Sequence, residues 1–265
     1  MLFRSVPAVE ALVAGHPLKL RELRAIRDSS GEASMKHNRE VMLPAVLPRL
    51  LEPEVRLADM DAMGVDLQLL SPAPAQYYYW ADEVLASEIV ALQNQAIAGL
   101  CQTWPRRFIG LGAVAMQHPA LAVQQLEHAV TGLGLKGVEI STHIGDCELD
   151  DARFDEFWAR AEALQAVVFI HPFGCDFGRR MVPHYLSNLV GQPLATTMAL
   201  SHLIFGGTLD RFPRLKILAA HGGGYLPQYS GRSDQGFRVR PEAGGMANAP
   251  SHYLRNIWFD SLVFT

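Results

Sequence analysis

Short apolar segments alternate with longer amphipathic segments along this chain of 265 residues, and this alternation limits its fold more than any other feature. The short segments are apolar almost throughout, which is typical of strands buried on both faces. Strands of that kind, separated by helices, indicate a parallel sheet with helices packed against it. The predicted strands are 64–71, 107–115, 135–142, 166–172, 215–222 and 257–263.

The spacing of these strands, from under thirty to about fifty residues, favours a (β/α)8 barrel with insertions. A doubly wound open sheet is the rival, but no GxGxxG motif follows the first strand to support it. Six strands are found where a closed barrel has eight. We therefore expect a TIM-type barrel without its first and last strands. It would form one incomplete domain over residues 1–265, with a helical N-terminal insertion at about 1–60.

Charge, apolar runs and cysteines argue against several classes of protein. The net charge is −4 and the sequence has no basic stripe, so nucleic-acid binding is not expected. Apolar runs such as AVVFI are far shorter than the ~20 residues of a membrane span, and the N-terminus lacks the pattern of a signal peptide. Cys101, Cys147 and Cys175 form no CxxC pair. These features predict a reduced, cytoplasmic protein.

Two histidines stand at the ends of predicted strands. In VVFIHPFG, His171 follows the apolar run, and the proline after it stops the strand. The ring could be a metal ligand or a hydrogen-bonded structural group. His221 ends KILAAHGGG, where the glycines permit a close approach and a positive φ. Its imidazole can exchange a proton near neutral pH, which suits an acid or base. The alternative is a glycine turn that happens to follow a histidine with no catalytic role. Both rings would face the same mouth of the barrel.

Other side chains are candidates for binding a substrate. Arg39 and Arg232 could each hold a carboxylate through two hydrogen bonds, or could be surface residues. Asp260, in WFDSLV, could be a metal ligand, a base or a group that orients either. Phe173, with Phe177 and the QYYYW stretch at 76–80, could line an aromatic pocket or serve packing alone.

The motifs FIHPFG, AAHGGGYLPQYSGRSD and FDSLV, together with GVEISTHI, resemble those of the amidohydrolase-related (amidohydrolase 2) decarboxylases. The resemblance runs from about Glu32 to the C-terminus. It implies a TIM-type barrel of the metal-dependent hydrolase superfamily, usually with one zinc ion. It also implies a lyase: nonoxidative decarboxylation of a carboxymuconate-semialdehyde-like or related aromatic carboxylic acid. The zinc ligands of that family are an HxH pair, the histidine of HP and an aspartate after the last strand.

Carried onto this sequence, the resemblance makes His171 a ligand of Zn²⁺ or another divalent metal and His221 the catalytic acid and base. It makes Arg39 and Arg232 ligands of the substrate carboxylates, with Arg232 contributed across a homodimer. Asp260 matches a family aspartate near the seventh strand. Tyr185 stands where the family has a pocket tryptophan, so the resemblance makes Tyr185 a candidate pocket residue beside Phe173.

The departures from the family lie at the two ends of the chain. No HxH occurs, and no aspartate ligand follows the last predicted strand. We therefore expect an incomplete metal site and a chain truncated at both ends. Three functions remain open: a decarboxylase in the full-length protein, a hydrolase of an ester, lactone or amide using the same metal, and a catalytically inactive fragment.

Overall fold

A computed structural model describes residues 5–174 and 177–263 of the chain. Each predicted strand contains an observed strand of three or four residues, shorter than its apolar segment. The strands are β1 Gln68–Leu70, β2 Phe108–Gly110, β3 Gly137–Ile140, β4 His143–Ile144, β5 Cys147–Glu148, β6 Val167–Ile170, β7 Lys216–Ala219 and β8 Ile257–Phe259. The hairpin of β4 and β5 was not predicted; it lies just beyond the predicted strand 135–142, and each of its strands has only two residues.

The strands other than this hairpin run parallel, in the order β1-β2-β3-β6-β7-β8. Strand β1 pairs with β2, and β3, β6, β7 and β8 form a continuous sheet. A bridge between Gly112 and Val138 joins the two groups. The described strands do not close, so β1 and β8 lie at the two edges. The fold is therefore the (β/α) barrel type that the alternation predicted, in an open form.

Helices cover the sheet. Their bounds are α1 Ser5–Val13, α2 Pro17–Ser30, α3 Glu32–His37, α4 Leu43–Leu51, α5 Pro53–Met63, α6 Glu83–Thr103, α7 Pro119–Glu127, α8 Asp155–Ala163, α9 Gln192–Phe205, α10 Thr208–Arg211, α11 Leu226–Val239 and α12 Pro250–Tyr253. The sequence explains several starts: Asp82 caps α6 by accepting a hydrogen bond from the backbone of Leu85, and a proline opens α7.

Helix α6 is 21 residues long and apolar enough, by length and composition alone, to span a membrane. Polar residues interrupt its apolar ones, so no long uninterrupted apolar run marks it in the sequence. In this fold, however, one face of α6 is buried in the protein: Ile89 and Val90 pack in a cluster with residues of α1, and Ile97 and Ala98 pack in the main core. The helix therefore acts here as a core helix.

The first five helices occupy residues 5–63 ahead of β1, where the helical N-terminal segment was expected. Val9 and Val13 of α1 are fully buried in the cluster with Tyr78 and Ile89, which fixes α1 on the barrel. Many apolar side chains of α2 and α4 are exposed instead. Helix α2 extends towards the carboxyl ends of the strands, and its residues Ile26 and Ser29 form part of the wall of the main cavity there. The boundaries of the insertion stay a prediction.

Candidate active site

His171 follows the last residue of β6, and hydrogen bonds hold both its backbone and its ring. Its amide donates to the carbonyl of Ile140 (3.0 Å), and its carbonyl accepts from the Tyr77 hydroxyl (3.0 Å). The ring Nδ1 lies 2.8 Å from the carbonyl oxygen of Pro172. Because a carbonyl oxygen only accepts, Nδ1 carries the hydrogen and Nε2 keeps a lone pair. Burial lowers the pKa of His171, which keeps the ring neutral near pH 7.

His221 lies at the start of the turn after β7, next to His171. The centroids of the two rings are 5.0 Å apart, so the structure brings together the two histidines that the strand-end argument selected. The His221 Nδ1 lies 3.2 Å from the Thr196 hydroxyl oxygen. Burial, and then the proximity of His171, lower the pKa of His221 to about 4, against a smaller opposing effect of Asp260. Two neutral imidazoles thus face one site.

The glycines after His221 allow neighbouring elements to approach it closely. His221 and the three glycines that follow all have positive φ. A Cβ on Gly224 would lie 2.1 Å from the carbonyl oxygen of Pro193, at the start of α9, and a Cβ on Gly223 would lie 2.5 Å from the ring of Phe259. The triplet is therefore required by packing against α9 and β8, beyond the need for a turn.

Asp260, just beyond β8, holds this turn. Its carboxylate accepts hydrogen bonds from the backbone amides of Gly222 (2.7 Å) and Leu262 (3.3 Å). Its charge also raises the pKa of both His171 and His221, against the larger effect of burial. Of the three roles that the sequence left open, this geometry corresponds to a group that orients the loop carrying His221.

A cavity of about 860 Å³ opens at the carboxyl ends of the strands, with both histidines in its wall. Phe173 and Tyr185, the two candidate pocket residues, are among the residues that line it. Apart from the two histidines, its polar lining residues are Ser29, Ser30, Asn38, Tyr185, Ser187, Asn188, Gln192 and Tyr225. None of the described lining residues is Lys, Arg, Asp or Glu. The countercharge for a bound carboxylate therefore has to come from elsewhere.

The two candidate arginines do not reach this cavity within the chain. Arg39 lies in a helical turn ahead of α4, with 64% of its side chain exposed, and pairs with Glu40 (3.2 Å). Arg232 is exposed on α11. Neither is among the lining residues. Their predicted contact with the substrate therefore stays a prediction, and within one chain the structure does not bring them to His171 and His221.

The residues that the structure describes do not complete a metal site. Nowhere between residues 5 and 174, or between 177 and 263, do three His, Cys, Asp or Glu side chains converge to hold an ion. His171 has the features of one ligand, because its Nδ1–H is fixed by a carbonyl and its Nε2 is free to coordinate. Protein metal sites of this kind need at least three ligands. The described residues therefore do not fit a bound metal on their own.

A buried carboxyl group beneath His171 was missed by the sequence analysis. Glu139 on β3 is 1% exposed, and one of its carboxyl oxygens lies within hydrogen-bond distance of the Tyr77 hydroxyl oxygen, at 2.7 Å. Ser71 also hydrogen-bonds Glu139 through its side chain. Burial raises the pKa of Glu139 to about 7, although both hydrogen bonds lower it. The sequence could have pointed to this residue, because a glutamate inside an apolar strand such as GVEI is unusual.

We expect this carboxyl group to make stability pH-dependent. Glu139 releases its proton near pH 4.5 in the unfolded chain but near pH 7 in the folded chain. Between those values the folded chain binds more protons, so raising the pH destabilises it. Relative to Glu139→Gln, the free energy of unfolding of the unaltered chain should fall by about 3 kcal/mol between pH 4.5 and 7.5. Chemical denaturation at several pH values measures this difference.

The control is Glu156→Gln, which removes an exposed carboxylate from α8. Its stability should change with pH in parallel with the unaltered chain. If the stability of Glu139→Gln also changed with pH in parallel with the unaltered chain, the prediction would be wrong. Glu139 would then ionise at the same pH in the folded and the unfolded protein.

The two paired histidines lie at the carboxyl ends of the strands, the end of a (β/α) barrel that carries the active site. Residues 16–264 match the sequence pattern of the family described as Amidohydrolase. The chain belongs to this amidohydrolase family.

Curated relatives of the chain are decarboxylases by name. It is 37% identical over 214 residues to 2-amino-3-carboxymuconate-6-semialdehyde decarboxylase of Dictyostelium discoideum, an alignment that covers 80% of this chain and 60% of the relative. It is 30% identical to gamma-resorcylate decarboxylase of Rhizobium radiobacter, with 70% of this chain and 60% of the relative covered. The chain thus spans about 60% of the length of these relatives.

Solved structures with the same fold include decarboxylases. The 5-carboxyvanillate decarboxylase of Sphingomonas paucimobilis matches with a TM-score of 0.79 at 30% identity, over 96% of this chain and 76% of that one. The corresponding enzyme of Novosphingobium aromaticivorans, solved with bound manganese, matches with a TM-score of 0.79 at 27% identity, over 94% and 77% of the two chains.

Proposed function

We propose that the protein is a metal-dependent nonoxidative decarboxylase of an aromatic or muconate-type carboxylic acid. The observation that carries the proposal is the pair of neutral histidines, 5.0 Å apart, in the wall of the large cavity at the strand ends. The decarboxylases among the relatives support the reaction class, and the manganese bound in similar structures supports a divalent metal. Zinc, a homodimer with Arg232 acting across it, and a cytoplasmic location belong to the proposal as well.

In this proposal His221 is the residue that moves a proton. The bond between the ring carbon and the carboxylate breaks, its electron pair stays on the carbon, and CO₂ leaves. His221 then gives a proton from Nε2 to that carbon, having taken it from a substrate hydroxyl or from water. A pKa lowered to about 4 by burial keeps the resting ring neutral, so it has a lone pair that can accept the proton before donating it. Phe173 and Tyr185 offer aromatic faces that would hold the substrate ring.

The experiment is an assay of CO₂ release by the chain lengthened through its flanking reading frame, with manganese or zinc added. Its substrates are 2-amino-3-carboxymuconate 6-semialdehyde, 5-carboxyvanillate and 2,6-dihydroxybenzoate. The proposal expects turnover of at least one of them. Turnover of esters or lactones with no release of CO₂ from any of the acids would favour the hydrolase instead. The hydrolase alternative is supported by the absence of Lys, Arg, Asp and Glu among the described cavity residues, because a neutral ester needs no charged group to bind it.

A second alternative is that the 265-residue chain is inactive by itself, because its described residues hold no group of three metal ligands. We accordingly expect the chain to retain about 0.1 equivalent or less of Mn²⁺ or Zn²⁺ after gel filtration. Elemental analysis measures this content. His171→Ala should abolish any weak binding that a titration detects, whereas His37→Ala, at an exposed histidine of α3, should leave it unchanged. Retention near one equivalent would mean that other residues complete the site.

A further inference from the structure

Two adjacent threonines on α9 contact the His221 turn at its two ends. Thr196, which is fully buried, places its hydroxyl oxygen 3.2 Å from Nδ1 of His221. The hydroxyl oxygen of Thr197 accepts a hydrogen bond from the backbone amide of Tyr225 (2.8 Å), just after the glycine triplet. One turn of α9 therefore touches both the ring that would move the proton and the end of the loop that carries it.

The direction of the Thr196 hydrogen bond decides which ring nitrogen of His221 carries the hydrogen. The hydroxyls of Thr197 and Ser201 donate to backbone carbonyls four residues earlier, over 2.8 and 2.7 Å. The Thr196 hydroxyl is placed to do the same, 3.3 Å from the carbonyl of Gln192. This back-bonding is the usual choice of helical Ser and Thr. With its one hydrogen used there, the Thr196 oxygen is an acceptor, so Nδ1 of His221 must be the donor.

A hydrogen on Nδ1 leaves the lone pair of His221 on Nε2, the nitrogen that can exchange a proton with a bound molecule. Thr197 contributes by holding the backbone. Its oxygen would lie only 2.4 Å from a Cβ at position 224, so the contact between α9 and the turn depends on that glycine. A displacement of this turn would move the His221 ring relative to His171.

We propose that Thr196 and Thr197 are positioning residues for His221: Thr196 selects its Nδ1–H tautomer, and Thr197 fixes the turn that carries the ring. The catalytic part of this inference rests on the proposed decarboxylase function. The tautomer itself does not, because it can be measured in the absence of substrate and metal.

The test is nitrogen-15 NMR of the histidine rings at pH 7.5, comparing the unaltered chain with Thr196→Val and Thr196→Ser. Assignment uses His221→Asn, which removes the signal. The unaltered chain and Thr196→Ser should show His221 with a protonated Nδ1 and an unprotonated Nε2. Thr196→Val keeps the shape of the side chain but removes the acceptor, so the signals should shift towards the Nε2–H form. Ser201→Ala, which removes a back-bonded hydroxyl from the same helix, is the matched control and should leave the tautomer unchanged.

The same variants separate this inference from the proposed function. In a preparation that releases CO₂, Thr196→Val should lower kcat by about 10- to 100-fold with little change in KM, and Thr196→Ser should restore most of it. An Nε2–H tautomer in the unaltered chain, or an unchanged tautomer in Thr196→Val, would overturn the inference whatever the activity. If instead the tautomer responds as expected but no acid is decarboxylated, the proposed function fails while the positioning role stands.

Discussion

Gly137→Ala should remove most of the stability of this fold. Gly137 begins β3, in the middle of the sheet, with a φ of +151° and Val167 of β6 as its partner. A Cβ there would lie 1.8 Å from the carbonyl oxygen of Val167 and 2.6 Å from its amide nitrogen. Both atoms belong to the backbone of a paired strand, so neither can rotate away. On its other side, the carbonyl of Gly137 accepts a hydrogen bond from Gly112 (2.8 Å).

The collision can be relieved only by separating β3 from β6, the strand that leads into His171. We expect a loss of more than about 4 kcal/mol in the free energy of unfolding, measured by urea denaturation followed by circular dichroism. Gly145→Ala is the matched control. Gly145 also has a positive φ, of +59°, but its Cβ would meet nothing within 4 Å. It should therefore lose only about 1 kcal/mol, the conformational cost alone. Similar losses in the two variants would contradict the strand pairing described here.

His221→Asn should reduce decarboxylation by about 10²- to 10⁴-fold in kcat, the usual contribution of a positioned acid or base. Asparagine suits the test because it tolerates the positive φ of this position (+58°) better than most residues. The backbone of the glycine turn should therefore persist. KM should change little, since the cavity wall keeps its other residues. The measurement is steady-state CO₂ release by a preparation that holds its metal.

His37→Asn, at an exposed histidine on α3, controls for general effects of the substitution and should keep full activity. Circular dichroism and the unfolding midpoint should confirm that His221→Asn is folded. Activity within a few fold of the unaltered protein would show that another group transfers the proton, and that the pairing of His221 with His171 serves only the structure.

The parallel arrangement explains why part of the site could be predicted from sequence. Apolar strands separated by helices fix the direction of the strands, and parallel strands place their carboxyl ends together. Two histidines that follow the ends of β6 and β7 are then expected to be neighbours. The distance of 5.0 Å between their ring centroids confirms this. The (β/α) barrel type followed from the same reasoning. The strands themselves are shorter than predicted, because apolar side chains continue beyond the last ladder hydrogen bond.

Contacts between distant elements could not be predicted in this way. Thr196 reaches His221 only because α9 packs across the glycine turn, and no local pattern marks it. Glu139 was visible as an unusual residue in a strand, but its partner Tyr77 lies 62 positions away in the chain. The substrate contact that the resemblance implied for Arg39 stays a prediction, because within one chain the packing of the N-terminal helices leaves this side chain on the surface.

The central claim is that the cavity beside His171 and His221 is a decarboxylase site whose metal needs ligands beyond the described residues. The most direct test compares CO₂ release and bound metal in two preparations: the 265-residue chain, and the chain lengthened through its flanking reading frame. We expect about one metal per chain and turnover of an aromatic or muconate-type acid in the longer form only. A longer form that holds its metal but releases no CO₂ from any of the acids would contradict the claim, as would metal and turnover in the 265-residue chain.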